Sequence, residues 1–184
     1  MNLIEAIILG IVQGLTEFLP ISSSGHLALM EEALGFSQES STIEFDLLLH
    51  FSTLLAVILY FRKRLISLFL SVFRTGDTDE KKLITFLIVG TIPIVIIGFL
   101  FKDKVEVISE DPILVCIFLS ITGLILFLPS FIKKSISNKE VTVGCSFIIG
   151  IAQAIALLPG ISRSGSTIKT VSYSHLTLPT TPYV

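Results

Sequence analysis

"FLPISSSGHL", residues 18–27, breaks the first apolar run of this chain, and "LLPGISRSGST", residues 157–167, breaks a late one in nearly the same way. Each places proline, glycine and serine where a regular helix cannot continue. Shifted by 140 residues without a gap, Gly10 falls on Gly150, Ile11 on Ile151 and Gln13 on Gln153. The same shift lays Ile21 on Ile161, Ser22 on Ser162, Ser24 on Ser164 and Gly25 on Gly165. One broken-helix motif is therefore present twice.

The surroundings of the motif set the class. Of 184 residues, 52% are hydrophobic and 15% charged, and the mean hydropathy is +0.87. With 13 basic and 15 acidic residues, the chain cannot clothe a soluble core of this size. A net charge of −2 gives no footprint for nucleic acid. Cys116 and Cys145 sit in separate apolar runs and read as small buried hydrophobes, neither disulfide nor metal knuckle. The first basic residue is Arg62, so no cleavable leader is expected at the start. The reading is an all-α integral membrane protein.

Apolar runs at 45–61, 83–101 and 113–132 approach the roughly 20 residues that cross a bilayer core. Pro93 should kink the second. Runs 3–19 and 141–158 instead lead into the two motifs. Residues 27–44 hold four glutamates and no Lys or Arg, whereas 62–82 hold six Lys/Arg, 102–111 two and 133–140 three. The basic segments 62–82 and 133–140 are accordingly expected in the cytoplasm and the others outside. Three spans separate the copies, and three is odd. If each copy is a re-entrant helical hairpin, the two enter from opposite sides and their tips meet near the midplane. That is an inverted-topology repeat of two oppositely oriented hairpins, the arrangement that builds central sites in membrane proteins. Broken backbone at membrane depth requires a protein-lined or watered cavity.

The residues at the tips carry a definite chemistry. Gln13 and Glu17 are four apart and share a helix face, with Gly10 and Gly14 nearby for close packing. Ser22, Ser23, Ser24 and Gly25 supply hydroxyls and free N–H groups at a helix start, a natural anion cradle. His26 can hold or donate a proton near neutral pH. Arg163 offers a planar fork suited to phosphate, flanked by Ser162, Ser164, Gly165 and Thr167. Together they describe phosphoryl-group chemistry, with Glu17 a candidate ligand for a hard divalent cation, Mg2+ or Ca2+. Asp46, His50 and Thr53 form a candidate polar stripe. Plainer roles exist for each: Glu17 and His26 as satisfied packing residues, Arg163 as an interfacial anchor, the stripe as structure alone. The joint occurrence of Glu17, His26 and Arg163 in duplicated broken motifs favours a site.

"GIVQGLTEFLPISSSGHL" and "LLPGISRSGSTI" resemble the two signature segments of the undecaprenyl-diphosphate phosphatases of bacterial membranes, the bacitracin-resistance family. "FDLLLHFSTLLAVILYFR" and "GTIPIVIIGFLF" resemble its intervening helices, and the likeness runs from about residue 3 to 168. The resemblance implies opposed re-entrant hairpins and hydrolysis of the lipid diphosphate to the monophosphate carrier of cell-wall synthesis. It implies Glu17, Ser23, His26 and Arg163 as catalytic residues. Gln13, Ser22, Ser24, Gly25, Ser162, Ser164, Gly165 and Thr167 would bind substrate. Gln13 stands where the family's (E/Q)-x-x-x-E pattern also takes a glutamate, leaving Glu17 as the sole carboxylate. The expected partners are a long-chain prenyl diphosphate lipid, the bilayer and a second copy of the chain in a homodimer, at a bacterial plasma (inner) membrane crossed several times.

Residues 1–170 read as a partial membrane phosphatase domain with its motifs near 8–26 and 148–166. Residues 171–184, "VSYSHLTLPTTPYV", lose the apolar periodicity and read as a non-native or disordered tail on a truncated gene, so His175 is set aside. The S-R-x5-H pattern of another lipid phosphatase class fails, because the residue seven after Ser162 is Lys169. A lipid or ion transporter is the alternative, since inverted repeats with broken helices also build transporters.

Topology is directly testable. With Cys116 and Cys145 replaced, a single cysteine at Ser40 should label from outside and one at Ser137 from the cytoplasm. Labelling of both from one side would remove the opposed-hairpin arrangement.

Overall fold

The computed structural model describes residues 2–35, 40–73, 76, 79–109, 111–127 and 142–174. These form seven helices: α1 (Leu3–Thr16), α2 (Ser23–Leu34), α3 (Ser40–Phe73), α4 (Asp79–Ser109), α5 (Pro112–Phe127), α6 (Val143–Ile155) and α7 (Arg163–Ser174). No strand occurs among the described residues.

The two helices that lead into the motifs are started by side chains. Asn2 Oδ1 accepts from the Glu5 N–H at 3.0 Å, and the Glu5 carboxylate reaches back to the Asn2 N–H, a reciprocal capping box that opens α1. Thr142 Oγ1 accepts from the Cys145 N–H at 3.3 Å and opens α6. Asp111 does the same for α5, accepting from Ile113 at 2.9 Å, with Pro112 at the first helical position.

The spans differ from the sequence reading in length. α3 does not end at residue 61 but runs through "RKRLISLFLSVF" to Phe73, because no glycine or proline falls between 40 and 75. α4 likewise absorbs "KDKVEVIS", which the charge pattern had marked as a linker, and its helical assignment continues through Pro93. Among the described residues α3 and α4 are the two helices long and apolar enough to cross a membrane, over Glu44–Phe73 and Asp79–Val105. The third expected span is α5, 16 residues, with 128–132 outside the described residues. α7 continues to Ser174; residues 175–184, including His175, also lie outside.

Burial is inverted relative to a water-soluble domain. Only 6% of the most apolar stretch of α3 and 11% of that of α4 is buried, so their Leu, Ile and Phe side chains point outward. The interior holds Gln13, Thr16, Ser22, Thr122, Ser146 and Ser162 beside Leu9, Leu27, Val115 and Ile161. Such a surface suits hydrocarbon as solvent.

Helix directions follow from side-chain neighbours. Gly10 lies against Leu49 and Gln13 against Thr53, so α1 and α3 run the same way. Gly90 lies against Ser146 and Gly98 against Leu157, so α4 and α6 run the same way. Arg64 near the end of α3 pairs with Glu80 at the start of α4 at 3.8 Å, which makes those two antiparallel neighbours. Small residues set the spacing of α4 on α6: the Pro93 ring sits 2.9 Å from where a side chain on Gly150 would begin.

At the centre the two motif turns meet backbone to backbone. A Cβ on Gly25 would stand 2.8 Å from Gly160 Cα, and one on Gly165 would stand 2.9 Å from the Pro20 carbonyl oxygen. Under the 140-residue shift these are one contact seen twice, since 25 maps to 165 and 20 to 160. Residue i touches j while the counterpart of j touches that of i, the signature of a two-fold relation. Gly14, expected as a packing glycine, faces open space.

These positions should therefore respond oppositely to one methyl group. Gly25→Ala should cost about 1–3 kcal/mol through overpacking, seen as a lower Tm in detergent. Gly14→Ala should be neutral or stabilise by roughly 0.5–1 kcal/mol.

Candidate active site

Glu17 closes α1 as its C-cap, its N–H donating to the Gln13 carbonyl at 2.9 Å, so both residues stay on one helix face. The chain then reverses through Pro20 and Ser22. Ser22 has φ +70°, the one non-glycine residue with positive φ among those described, a conformation L-residues hold only when the surroundings impose it. Its hydroxyl pairs with that of Ser24 at 3.4 Å and caps no backbone N–H. The start of α2 thus keeps free N–H donors, and α2 begins at Ser23.

The second motif repeats this geometry with a firmer anchor. Thr122 of α5 donates its hydroxyl to the Gly160 carbonyl at 2.8 Å and accepts from the Ser162 N–H at 3.1 Å. Ser162 Oγ accepts from the Gly165 N–H at 3.0 Å and pairs with Ser164 Oγ at 3.1 Å. Gly160, at φ +91°, makes the turn, and α7 begins at Arg163.

Two helix N-termini therefore open on one pocket of about 340 Å3. It is lined by Thr16, Glu17, Leu19, Ser22, Ser23 and Ser24 from the first motif. Gln153, Ile161, Ser162, Arg163, Ser164 and Thr167 line it from the second. Glu17 is the carboxylate of this lining and Arg163 the guanidinium, and neither has an ion-pair partner among the described residues. Ser23 Oγ donates a short hydrogen bond to Glu17 Oε2, and Gln13 Nε2 donates to the same oxygen at 3.2 Å. A hydroxyl aimed at a carboxylate beside a cation and two helix N-termini can be deprotonated while an anion is held in place.

The structure gathers most of the residues singled out in the sequence. Glu17, Ser22, Ser23, Ser24, Ser162, Arg163, Ser164 and Thr167 line the pocket, and Gln13 is buried behind Glu17. Gly25 and Gly165 do not line it; they hold the two turns together. His26 lies elsewhere. Its Nδ1 donates to the Ser22 carbonyl at 2.8 Å, and the ring faces a separate pocket of about 380 Å3 with Leu119, Ser120 and Thr122. Gln153 is a lining residue absent from the sequence candidates. Its signal was available, since the repeat sets it on Gln13. For a resident cation the donor set is thin: no group of three His, Cys, Asp or Glu occurs among the described residues, and Glu17 Oε2 already accepts two hydrogen bonds.

An outward apolar surface around a polar pocket that holds one carboxylate and one guanidinium fits a helical membrane protein. The chain belongs to the family described as Bacitracin resistance protein BacA, whose model matches residues 6–180. It is 47% identical to the undecaprenyl-diphosphatase of Treponema denticola over 183 residues, 96% of this chain and 66% of that protein. Identity is 43% to the undecaprenyl-diphosphatase of Christiangramia forsetii, covering 92% of this chain and 64% of the relative. It is 41% to undecaprenyl-diphosphatase 1 of Pseudoalteromonas translucida, covering 91% and 64%. The chain thus spans slightly less than two thirds of the length of these relatives. The family match runs past residue 170, where the sequence reading ended the family segment.

The Thr122 bridge gives a stability test. Thr122→Val keeps the shape but strands the Gly160 carbonyl and the Ser162 N–H in a buried place. A loss of about 1–3 kcal/mol is expected, measured as a lowered Tm in detergent.

Proposed function

We propose that this chain carries the catalytic site for hydrolysis of undecaprenyl diphosphate to undecaprenyl phosphate and inorganic phosphate, recycling the carrier lipid of cell-wall synthesis. The observation that carries the reading is the Ser23–Glu17 hydrogen bond in a pocket shared with Arg163. The relatives' printed activity agrees with it. A transporter would use the same two-fold arrangement but has no need of a hydroxyl aimed at a carboxylate.

In this mechanism the terminal phosphate sits at the N-termini of α2 and α7, with Arg163 gripping two of its oxygens and the serine and Thr167 hydroxyls donating to the rest. Ser23 Oγ attacks the terminal phosphorus as Glu17 takes its proton. The bond to the bridging oxygen breaks and the lipid monophosphate leaves, taking from Glu17 the proton that came from Ser23. Water then attacks the phosphoserine, Glu17 again receiving the proton and returning it to Ser23. Gln13 holds Glu17 in position. His26, outside this pocket, bonds the Ser22 carbonyl through Nδ1 and so holds the turn that presents Ser23. A divalent cation, Mg2+ or Ca2+, fits as a counterion carried on the diphosphate rather than as a resident ion, because Glu17 alone offers a carboxylate.

The same proposal places the chain in the bacterial plasma membrane as a multi-pass homodimer, with α1–α2 and α6–α7 as opposed re-entrant hairpins. Three directions support this. α1 runs with α3, α3 runs against α4, and α4 runs with α6, so the two motif arms point oppositely. The reciprocal contacts of Gly25 and Gly165 are those a two-fold axis would produce.

Purified protein should release phosphate from a long-chain prenyl diphosphate; no release would sink the reading. Rapid quench with label on the terminal phosphate should trap labelled protein, absent in Ser23→Ala. Glu17→Gln should abolish release. Arg163→Lys keeps the charge but loses the paired fork. It should fold normally yet lose at least ~100-fold in kcat/KM, about 2.7 kcal/mol of transition-state stabilisation. An intact melt with unchanged turnover would reduce Arg163 to an anchor.

A further inference from the structure

The 140-residue repeat pairs Gln13 with Gln153, but the two copies diverge around that glutamine. In the first copy Gln13 is buried and spends its Nε2 on Glu17 and Thr53. In the second, Leu157 holds the place of Glu17 and packs on Gly98, while Arg163 holds the place of Ser23. Gln153 therefore has no carboxylate of its own to hold. It is half-buried, no hydrogen bond joins its carboxamide to another described residue, and it lines the pocket. An amide carried into a protein interior normally finds a partner, and the pocket is where one can stand.

The chemistry of the reaction says which partner. In phosphoryl transfer the attacking and leaving oxygens lie roughly in line through phosphorus. Ser23 attacks from the first-motif wall, so the bridging oxygen and the lipid-side phosphate point at the second-motif wall. That wall holds Gln153, Ile161, Ser162, Arg163, Ser164 and Thr167 and no carboxylate, whereas Glu17 stands on the other. Arg163 and the hydroxyls beside it belong to the start of α7, where the terminal phosphate sits. Gln153 comes from α6 and is the polar lining group of that wall which the terminal phosphate does not use. We propose that Gln153 binds the lipid-side phosphate, its Nε2 donating to a non-bridging oxygen, and so selects a diphosphate over a monophosphate.

Such a subsite rests on the reading of Ser23 as the nucleophile and adds to it a place for the second phosphate. An amide suits that place because it donates to an anion while carrying no charge of its own. A carboxylate at the same position would face the substrate with like charge. As the bond to the bridging oxygen breaks, negative charge grows on the departing lipid phosphate, so a donor held there also favours the transition state. Because no other bond fixes the carboxamide, it is free to turn Nε2 toward the phosphate.

Two non-hydrolysable ligands, titrated calorimetrically into the full chain in detergent, test it. One is a long-chain prenyl methylenediphosphonate, which keeps both phosphoryl groups; the other is the matching prenyl monophosphonate. Gln153→Met keeps the size of the side chain but removes the donor. It should weaken the diphosphonate at least tenfold and leave the monophosphonate within twofold of wild type. Gln153→Glu, with the same shape and a negative charge, should weaken the diphosphonate further. Equal losses for both ligands would put Gln153 on the terminal phosphate, and no loss for either would leave it outside the binding site. Each of these overturns the assignment, as does failure of both variants to melt like wild type. Phosphate release from a long-chain prenyl diphosphate by wild type is measured alongside. No release sinks the hydrolase reading, whereas release together with unchanged diphosphonate affinity in Gln153→Met sinks the Gln153 subsite alone.

Discussion

Backbone touches backbone where the two motif turns cross, and the rest of the site depends on that contact. Gly25 against Gly160 and Gly165 against Pro20 leave no room for a side chain on either side. Because the turns are this close, the first residues of α2 and α7 open on the same pocket, and Arg163 comes to share a wall with Glu17 and Ser23. Move the turns apart by the width of one methyl group and the guanidinium, the carboxylate and the hydroxyls no longer converge on a single phosphate-sized volume. The strained φ of Ser22 belongs to the same constraint, since the reversal after Pro20 has to be completed at once for Ser23 to start a helix facing Glu17.

Hydrocarbon as the outer solvent explains why such a centre is sustainable. In lipid the helices gain little by burying leucine against leucine, so association relies on close approach of small residues and on hydrogen bonds. α4 on α6 uses the first device, at Gly90, Pro93 and Gly150. Thr122 uses the second, tying α5 to both ends of the Gly160–Ser162 turn. The polar interior is then not a defect: motif hydroxyls and backbone groups satisfy one another, and the groups left over face the pocket or the α1–α3 seam. Glu17, half-buried, and Arg163, exposed at the pocket wall, have no ion-pair partner among the described residues, and their convergence on one pocket is what reads as function.

Much was legible in the residues themselves, and the limits have physical causes. The membrane class needed only composition and run length, because hydrocarbon selects on average apolarity. Gln13 and Glu17 on one face needed only helical periodicity, and the two turns needed only Pro, Gly and Ser in place. Span ends were less legible: charge suggested a linker after residue 61, but a helix stops where its backbone is interrupted, and "RKRLISLFLSVF" contains nothing that interrupts it. His26 shows a second limit. Its chemistry suits the site, yet a helix start at Ser23 turns it to the opposite side of α2 from the Glu17–Arg163 pocket.

By itself the sequence determined an all-helical membrane chain, a duplicated broken motif and the inventory of groups at each tip. Each of these is local, set by side-chain apolarity or by the backbone freedom of a few neighbouring residues. Only the tertiary structure decided how closely the two tips meet, backbone to backbone, and that Gln153 joins the pocket while His26 leaves it. Those facts depend on distances between residues far apart in the chain, and such distances are set by how glycine backbones and helix faces pack, which no run of neighbouring residues encodes.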